Sequence, residues 1–310
     1  MGKILVIGSS NTDLVTTVKN FPSAGETIVG KSFLQAMGGK GANQAVAAHK
    51  LGGDVKFITC LGRDANGQNA LKYYQEEGLD VSSSLIVDDV PSGTAIILVE
   101  EKGENCIVIT PGANKMLTSD YIYKVEKDII ASDMVVMQME IPCDTVKTVC
   151  ELAHKNHKTV LLNVAPACQL DEDLIKMIDI LVVNETEAET ISGEKIELVG
   201  KEVVVDKLLS MGVNTVVLTL GKKGCLLKNN QRVLFVPAFV VETVDSTAAG
   251  DTFCGALVAE LGRGHTWDVA LKFATAASAI CVTRMGAQPS IPSEKEVREF
   301  LNKRMEPAAK

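Results

Sequence analysis

Six short runs of almost unbroken apolar residues constrain this chain more than any other feature: KILVIG (3–8), VKFITCLG (55–62), MVVMQM (134–139), TVLLNV (159–164), DILVVN (179–184) and TVVLTLG (215–221). A strand with one face in water alternates polar and apolar residues, whereas a strand covered on both faces shows no such period. Helical patterns lie between the runs, at 41–52, 144–157 and 201–212. The alternation predicts an α/β fold, a mostly parallel sheet with right-handed crossovers and helices on both faces. Two stretches depart from it. Residues 13–33 and 93–110 read as hairpins with glycine-containing turns and no helix between their strands. They predict a small separate sheet inserted into the main domain. Beyond residue 250 the pattern is wholly helical, ending in a weakly ordered tail, MEPAAK.

Composition removes several classes of function. The net charge is −8 and no run of Lys and Arg offsets it, so no nucleic-acid surface is indicated. An anionic ligand must then be gripped by a local device, a helix terminus or a metal ion. Eight cysteines occur without a CxxC pair, most of them inside apolar runs, which reads as reduced core thiols. The first apolar run is too short for a secretory signal, and Val6 stands where a myristoylated N-terminus needs Ser or Thr. No apolar stretch reaches transmembrane length. These features predict a cytoplasmic protein with no membrane partner.

In open parallel sheets, ligands bind beyond the carboxyl ends of the strands. Just past the predicted strands stand Asn11, Asp13, Glu140, Asn184, Glu187 and Gly221. GGKGANQAVAA (38–48) places two glycines ahead of a helix start, a flexible joint from which Lys40 and Asn43 would face a ligand. DSTAAGDTFCGA (245–256) holds a second such start. Helix N-termini carry unpaired N–H groups and partial positive charge. The small side chains of Ala248, Ala249 and Gly250 leave room for a phosphate to reach them. Asp251 is then either a helix cap or a base that accepts the proton of an attacking hydroxyl. Asp245 and Thr247, just upstream, would offer oxygens to a cation.

Three motif matches are set aside. GETIVGKS (25–32) spells a phosphate loop, but it alternates like a strand and no helix starts at its lysine. The first strand lacks the later glycines of a dinucleotide fingerprint. His154 and His157 have ligand-compatible spacing but no third ligand.

Taken in order and at their spacings, NTD (11–13), GGKGANQAVAA (38–48), QME (138–140), NETEAE (184–189), TLGKKG (219–224), DSTAAGDTFCGAL (245–257) and VTRMGAQPS (282–290) resemble the ribokinase family of carbohydrate kinases, from residue 4 to about 292. The resemblance implies a three-layer α/β/α core in one domain over 1–310, with a β-sheet lid from inserted segments at about 13–37 and 91–112. It implies ATP-dependent phosphorylation of D-ribose at the 5-hydroxyl, with deoxyribose or another small sugar as the alternative substrate. Asn11, Asp13, Gly39, Lys40, Asn43, Glu140 and Asp251 would bind the sugar. Asp251 would be the catalytic base, with Ala248, Ala249 and Gly250 as the anion hole. Asn184, Thr219, Leu220, Gly221, Lys222, Lys223, Gly224, Gly250, Asp251 and Thr275 would line the nucleotide. Thr275 stands where the family commonly has a histidine against adenine. Asn184 and Glu187 would organise Mg2+ and the phosphates. Asp245, Thr247, Cys281, Arg284, Gly286 and Ser290 would form an activating K+ site, several through backbone carbonyls. The lid would also be the interface of a homodimer. A silent sugar-binding regulator on the same scaffold is the alternative of another class, and it should have lost Asp251 or its small neighbours.

Overall fold

In a computed structural model describing residues 1–101 and 104–305, the first apolar run is β1 (Lys3–Ile7). Its Ile4 and Val6 join one buried apolar cluster while Leu5 and Ile7 join another. The same split recurs in β9 (Met134–Gln138), through Val136 on one side and Val135 and Met137 on the other. In β10 (Thr159–Asn163) it separates Leu161 from Val160 and Leu162. The unbroken runs therefore serve two cores. Each fully buried Leu or Ile contributes about 1.5–3 kcal/mol of hydrophobic stabilisation, so both faces need cover. Helices Lys40–Lys50, Ala249–Gly262 and Trp267–Cys281 supply it on one face. Helices Cys143–Lys155, Glu185–Ser192 and Lys201–Ser210 supply it on the other.

The large sheet has eight strands. β4 (Asp54–Ile58), β1, β9, β10, β11 (Ile180–Asn184) and β12 (Thr215–Thr219) run parallel and adjacent in that order. β13 (Cys225–Asn229) and β14 (Val233–Val236) extend it as an antiparallel hairpin that the sequence reading did not include. The turn is made by Asn229, whose Oδ1 accepts from the amides of Gln231 and Arg232 at 2.9 and 3.0 Å. The run 55–62, expected as one strand, breaks at Thr59. There the backbone changes partners: the Thr59 amide donates to Ser84 Oγ and its carbonyl accepts from Leu85. Residues beyond form β5 (Cys60–Gly62), paired in parallel with β6 (Leu85–Val87) in a separate two-stranded sheet.

The remaining strands, β2 (Asn11–Val18), β3 (Ser32–Gly38), β7 (Gly93–Glu100) and β8 (Asn105–Thr110), make a four-stranded sheet in the order β3–β2–β7–β8. Both expected hairpins are present and antiparallel, and they join through a parallel β2–β7 pairing. The glycine turn expected in the second hairpin, at 102–103, lies outside the described residues, as does the tail beyond Met305. The phosphate-loop look-alike falls in the mostly exposed connection 19–31, and a strand rather than a helix begins at Ser32. Among the described residues no helix is long and apolar enough to cross a membrane. All eight cysteines are free thiols, and Cys60, Cys150, Cys225, Cys254 and Cys281 are buried.

Candidate active site

Two helix starts meet beyond the carboxyl end of β1. The Ala249–Gly262 helix packs on the Lys40–Lys50 helix, and Gly255 lets them approach. A Cβ there would stand 2.5 Å from Ala47 Cβ and 2.9 Å from the Gln44 carbonyl oxygen. One turn upstream, the Asp251 carboxylate therefore lands on the first turn of the partner helix. Asn43 Nδ2 donates to Asp251 Oδ2 at 2.9 Å and Gln44 Nε2 donates to Oδ1 at 3.0 Å, all three side chains being buried. Gln44 also donates to Asn163 Oδ1 (3.0 Å) and accepts from Gln138 Nε2 (2.7 Å), which ties the carboxylate to the ends of β9 and β10. Asp251 is not a helix cap. The N-cap is Ala248, in the left-handed region at φ 58°, and no side chain bonds the helix start. A left-handed alanine costs about 1–2 kcal/mol. Among the described residues no acceptor meets the N–H of Gly250 or Asp251, and the space a Cβ of Gly250 would occupy is open. The helix start is bare, and its partial positive charge faces that opening.

The Gly38–Gly39 joint is needed in both halves. A Cβ on Gly38 would overlap the Asp13 carboxylate, and Gly39 adopts φ +87° with its Cβ position 2.7 Å from the Asn11 nitrogen. This close join brings the end of β3, the start of β2 and the Lys40 helix to one place. Glu140 Oε2 accepts from Ser9 Oγ at 2.6 Å and from the Lys40 amide at 3.0 Å. Asn11, Asp13 and Asn43 are buried, and Asn43 Oδ1 has no partner of its own. Such a buried acceptor awaits a donor. The charges interact strongly. Burial, then the Glu140 and Asp251 carboxylates, push the Asp13 carboxyl up to about 7, with the Lys40 ammonium opposing them. The Asp251 carboxylate, ahead of Glu140 and Glu187, holds Lys40 above its ordinary value despite burial. Glu187 is raised by burial, against the Asn184 amide and Lys40, which lower it. Thus Asp13, Lys40, Glu140, Glu187 and Asp251 form one coupled set, although they come from five separate stretches of chain.

On the other side of the bare helix start lies a cleft of about 590 Å³. Of the residues expected around a nucleotide, Thr219, Gly221, Lys222, Gly224, Gly250 and Thr275 line it. Asn184, Leu220, Lys223 and Asp251 do not: Leu220 is buried in the core, Lys223 pairs with Glu185 at the surface (3.5 Å), Asn184 caps the helix that follows it, and Asp251 turns to Asn43 and Gln44. Thr275 is buried and its hydroxyl donates to the Leu271 carbonyl at 2.8 Å, so its proton is already engaged within the helix. Phe239, Val240, Phe253 and Val282 complete an apolar wall that the sequence reading missed.

Asn184 and Glu187 form a capping box at the helix Glu185–Ser192: Asn184 Oδ1 accepts from the Glu187 amide (2.9 Å) and Glu187 Oε2 from the Asn184 amide (2.8 Å). The other Glu187 oxygen has no hydrogen-bond partner among the described residues and is not sealed from solvent. Among the described residues no three His, Cys, Asp or Glu side chains converge as a metal cage. The unbonded Glu187 oxygen is a hard donor of the kind that Mg2+ takes alongside nucleotide phosphates. The K+ candidates do converge. Asp245 Oδ1 accepts from the Thr247 amide and hydroxyl (2.9 and 2.6 Å), and Oδ2 from the Gly286 amide (2.9 Å). Cys281 Sγ lies 3.0 Å from Ser290 Oγ and 3.7 Å from the Thr247 carbonyl oxygen. The Arg284 side chain turns outward to Glu296, leaving only its backbone near this cluster. Carboxylate and carbonyl oxygens suit a hard cation.

Gln44, Gln138 and Asn163 were missed as functional candidates. All three are buried in the structure; Gln138 and Asn163 interrupt apolar runs and Gln44 stands with Asn43 among small apolar residues, which was the available signal. The chain as a whole has known relatives. Residues 1–294 match the family model described as pfkB family carbohydrate kinase. The chain is 41% identical to the ribokinase of Haemophilus influenzae, over 96% of this chain and 98% of that one. It is 35% identical to the deoxyribokinase of Salmonella typhi, over 96% and 98%. The Arabidopsis thaliana ribokinase complexed with ribose and ATP superposes with a TM-score of 0.90 at 31% identity, covering 97% of this chain and 98% of that chain. By its full-length match and by its fold, this chain belongs to the pfkB family of carbohydrate kinases.

Proposed function

We propose that this protein is an ATP-dependent ribokinase, transferring the γ-phosphoryl group of ATP to the 5-hydroxyl of D-ribose. One observation carries the reading: a buried carboxylate, Asp251, is clamped by Asn43 and Gln44 directly beside an unfilled helix N-terminus. A sugar alcohol is a poor nucleophile, and phosphoryl transfer asks mainly for positioning and charge stabilisation. Asn11, Asp13, Gly39, Lys40, Asn43 and Glu140 hold the sugar on the β2 side. The amides of Gly250 and Asp251, with Ala248 and Ala249 shaping the turn, receive the migrating phosphoryl group. Asp251 orients the attacking hydroxyl and accepts its proton, an assistance typically worth ~10²–10⁴ in rate. The nucleotide occupies the cleft beyond, its base against the apolar wall and Thr275. Mg2+ on the phosphates, near Asn184 and Glu187, would neutralise the charge that develops there.

The four-stranded sheet acts as a lid that keeps water from the transfer. Strand register puts Phe33, Ile96 and Val108 on its outward face, all at least half exposed. A second copy of the chain would cover this apolar area, giving a homodimer. Asp245, Thr247 and Ser290, with backbone carbonyls of the 281–286 segment, would hold K+, which would stiffen the turn that carries Ala248. The free thiols suit a cytoplasmic setting.

An ATP-coupled assay over D-ribose, 2-deoxy-D-ribose and a hexose panel tests the reading. Ribose should give the highest kcat/KM. A higher value for 2-deoxyribose would reassign the substrate, and no ATP consumption with any sugar would remove the enzyme.

A further inference from the structure

Asn114 belongs to none of the motifs above, yet it sits against the end of the sugar-side strand. We propose that Asn114 is a positioning residue that fixes which atom of Asn11 the sugar meets, and with it the polarity of that contact. The inference rests on the reading of Asn11 as a sugar ligand. Asn114 is 1% exposed, in the short 3-10 helix Gly112–Met116 that follows β8. Its Oδ1 accepts from the Ser10 amide at 2.9 Å, and its Nδ2 donates to the Ser10 carbonyl at 3.2 Å and to Asn11 Oδ1 at 2.8 Å.

The two ends of an amide side chain are alike in shape, so their assignment usually depends on a network of equally ambiguous groups. Here it does not. A backbone N–H can only donate and a backbone carbonyl can only accept, so Ser10 alone settles both ends of Asn114. Its Nδ2, fixed as a donor, then requires an acceptor from Asn11. Asn11 must present its oxygen to Asn114 and turn its NH2 the other way. That NH2 has no protein partner among the described residues, but it is not sealed from solvent as Asn43 Oδ1 is. Ser10 is itself held, its Oγ 2.6 Å from the Tyr74 hydroxyl. Gly93 leaves the pair undisturbed, since a Cβ there would overlap both Asn11 Oδ1 and Asn114 Nδ2.

The sugar side of Asn11 is therefore donor-only. The hydroxyl it meets must accept from Asn11 and send its own proton elsewhere. Asp13, two residues along and so on the same face of β2, is the acceptor in reach. A bound sugar that lacks that hydroxyl covers the NH2 without pairing it, which is how a polar contact rejects a deoxy analogue.

Kinetics of the full-length enzyme with D-ribose and ATP test this in five proteins: wild type, Asn114→Asp, Asn114→Ala, Asn11→Ala and the double alanine variant. Asp at 114 still accepts from the Ser10 amide but cannot donate to Asn11 Oδ1, so the Asn11 amide reverses and offers an oxygen to the sugar. The expected result is a rise of roughly ten- to a hundredfold in ribose KM for both position-114 variants, with ATP KM unchanged and kcat altered less than KM. On the Asn11→Ala background, Asn114→Ala should add less than about threefold, since a residue that acts through Asn11 has nothing left to act on. A ribose KM unchanged in both position-114 variants overturns the inference. So does an equal multiple of loss with and without Asn11, or an ATP KM that rises as much as that for ribose. A wild-type enzyme that leaves ribose untouched overturns the functional reading, and this inference with it.

Discussion

Replacing Asp13 by Asn should make the ligand-free protein more stable while destroying its affinity for sugar. Burial first, and then the carboxylates of Glu140 and Asp251, raise the Asp13 carboxyl from 3.8 to about 7. The rise is about three pH units, and at about 1.36 kcal/mol per unit it represents about 4 kcal/mol. A carboxyl whose folded pKa lies above its unfolded value holds its proton more tightly in the folded state. Stability therefore falls as pH rises from about 4 to about 7 and levels off above, where the full cost of burying the charge is present. Asn has the same shape without the charge. Near pH 8 the variant should gain up to about 4 kcal/mol. With an unfolding entropy of about 2.1 cal/mol/K per residue over 310 residues, that is about 6 °C in Tm. Near pH 4 the gain should vanish. Thermal unfolding of both proteins at a series of pH values reads the difference directly, and isothermal calorimetry with ribose reads the lost affinity. A Tm difference independent of pH, or a variant less stable near pH 8, would refute the charge coupling at the heart of this site.

Other perturbations bear on separate parts of the argument. If ionised Asp13 accepts from sugar hydroxyls, ribose KM should climb about tenfold per pH unit below about pH 7, while ATP KM stays level; a flat ribose profile would show the carboxyl charged throughout. Asp251→Asn should lower kcat by ~10²–10⁴, and near-wild-type turnover would free Asp251 of its role as base. Gly250→Ala has open space for its methyl and no left-handed backbone to strain, so Tm should hold or rise. The methyl would nevertheless stand where a phosphate must approach, and kcat should fall by ~10²–10³, the effect of losing one good oxyanion donor. Unchanged activity there would mean that no phosphate comes to this helix start. Exchanging K+ for Na+ in the assay should reduce turnover, and equal rates in the two salts would remove the cation site from Asp245.

Parallel strands announce themselves in single runs because both faces of each are buried, and Leu5 beside Val6 is enough to show it. Antiparallel edges give a weaker signal. The β13–β14 hairpin turns on Asn229, and its apolar runs, CLL (225–227) and VLFV (233–236), are short and include the half-exposed Phe235, a weaker mark than the longer runs of the parallel strands. The break at Thr59 was invisible for a different reason, since only the later segment 84–85 supplies the partners that divert the strand. Motif residues such as Lys40 and Asp251 stood out through their small neighbours. Gln44, Asn163 and Asn114 did not, because each matters through a contact to a residue about a hundred or more positions away that no local pattern encodes. Spacing also cannot tell Leu220 from Thr219; strand geometry turned the first into the core and left the second on the cleft.

The glycine contact between the Lys40 and Ala249 helices carries a last consequence. Because Gly255 seats one helix on the other and Asn43 and Gln44 already grasp Asp251, the reactive end of the machine is pre-built before any substrate arrives. β2 and β3, on the side proposed for the sugar, join that frame at Gly38–Gly39. If the sugar binds there as proposed, preference for one sugar over another can be recut in β2, β3 and β7 without disturbing Asp251, as a jig is refitted on an unchanged anvil.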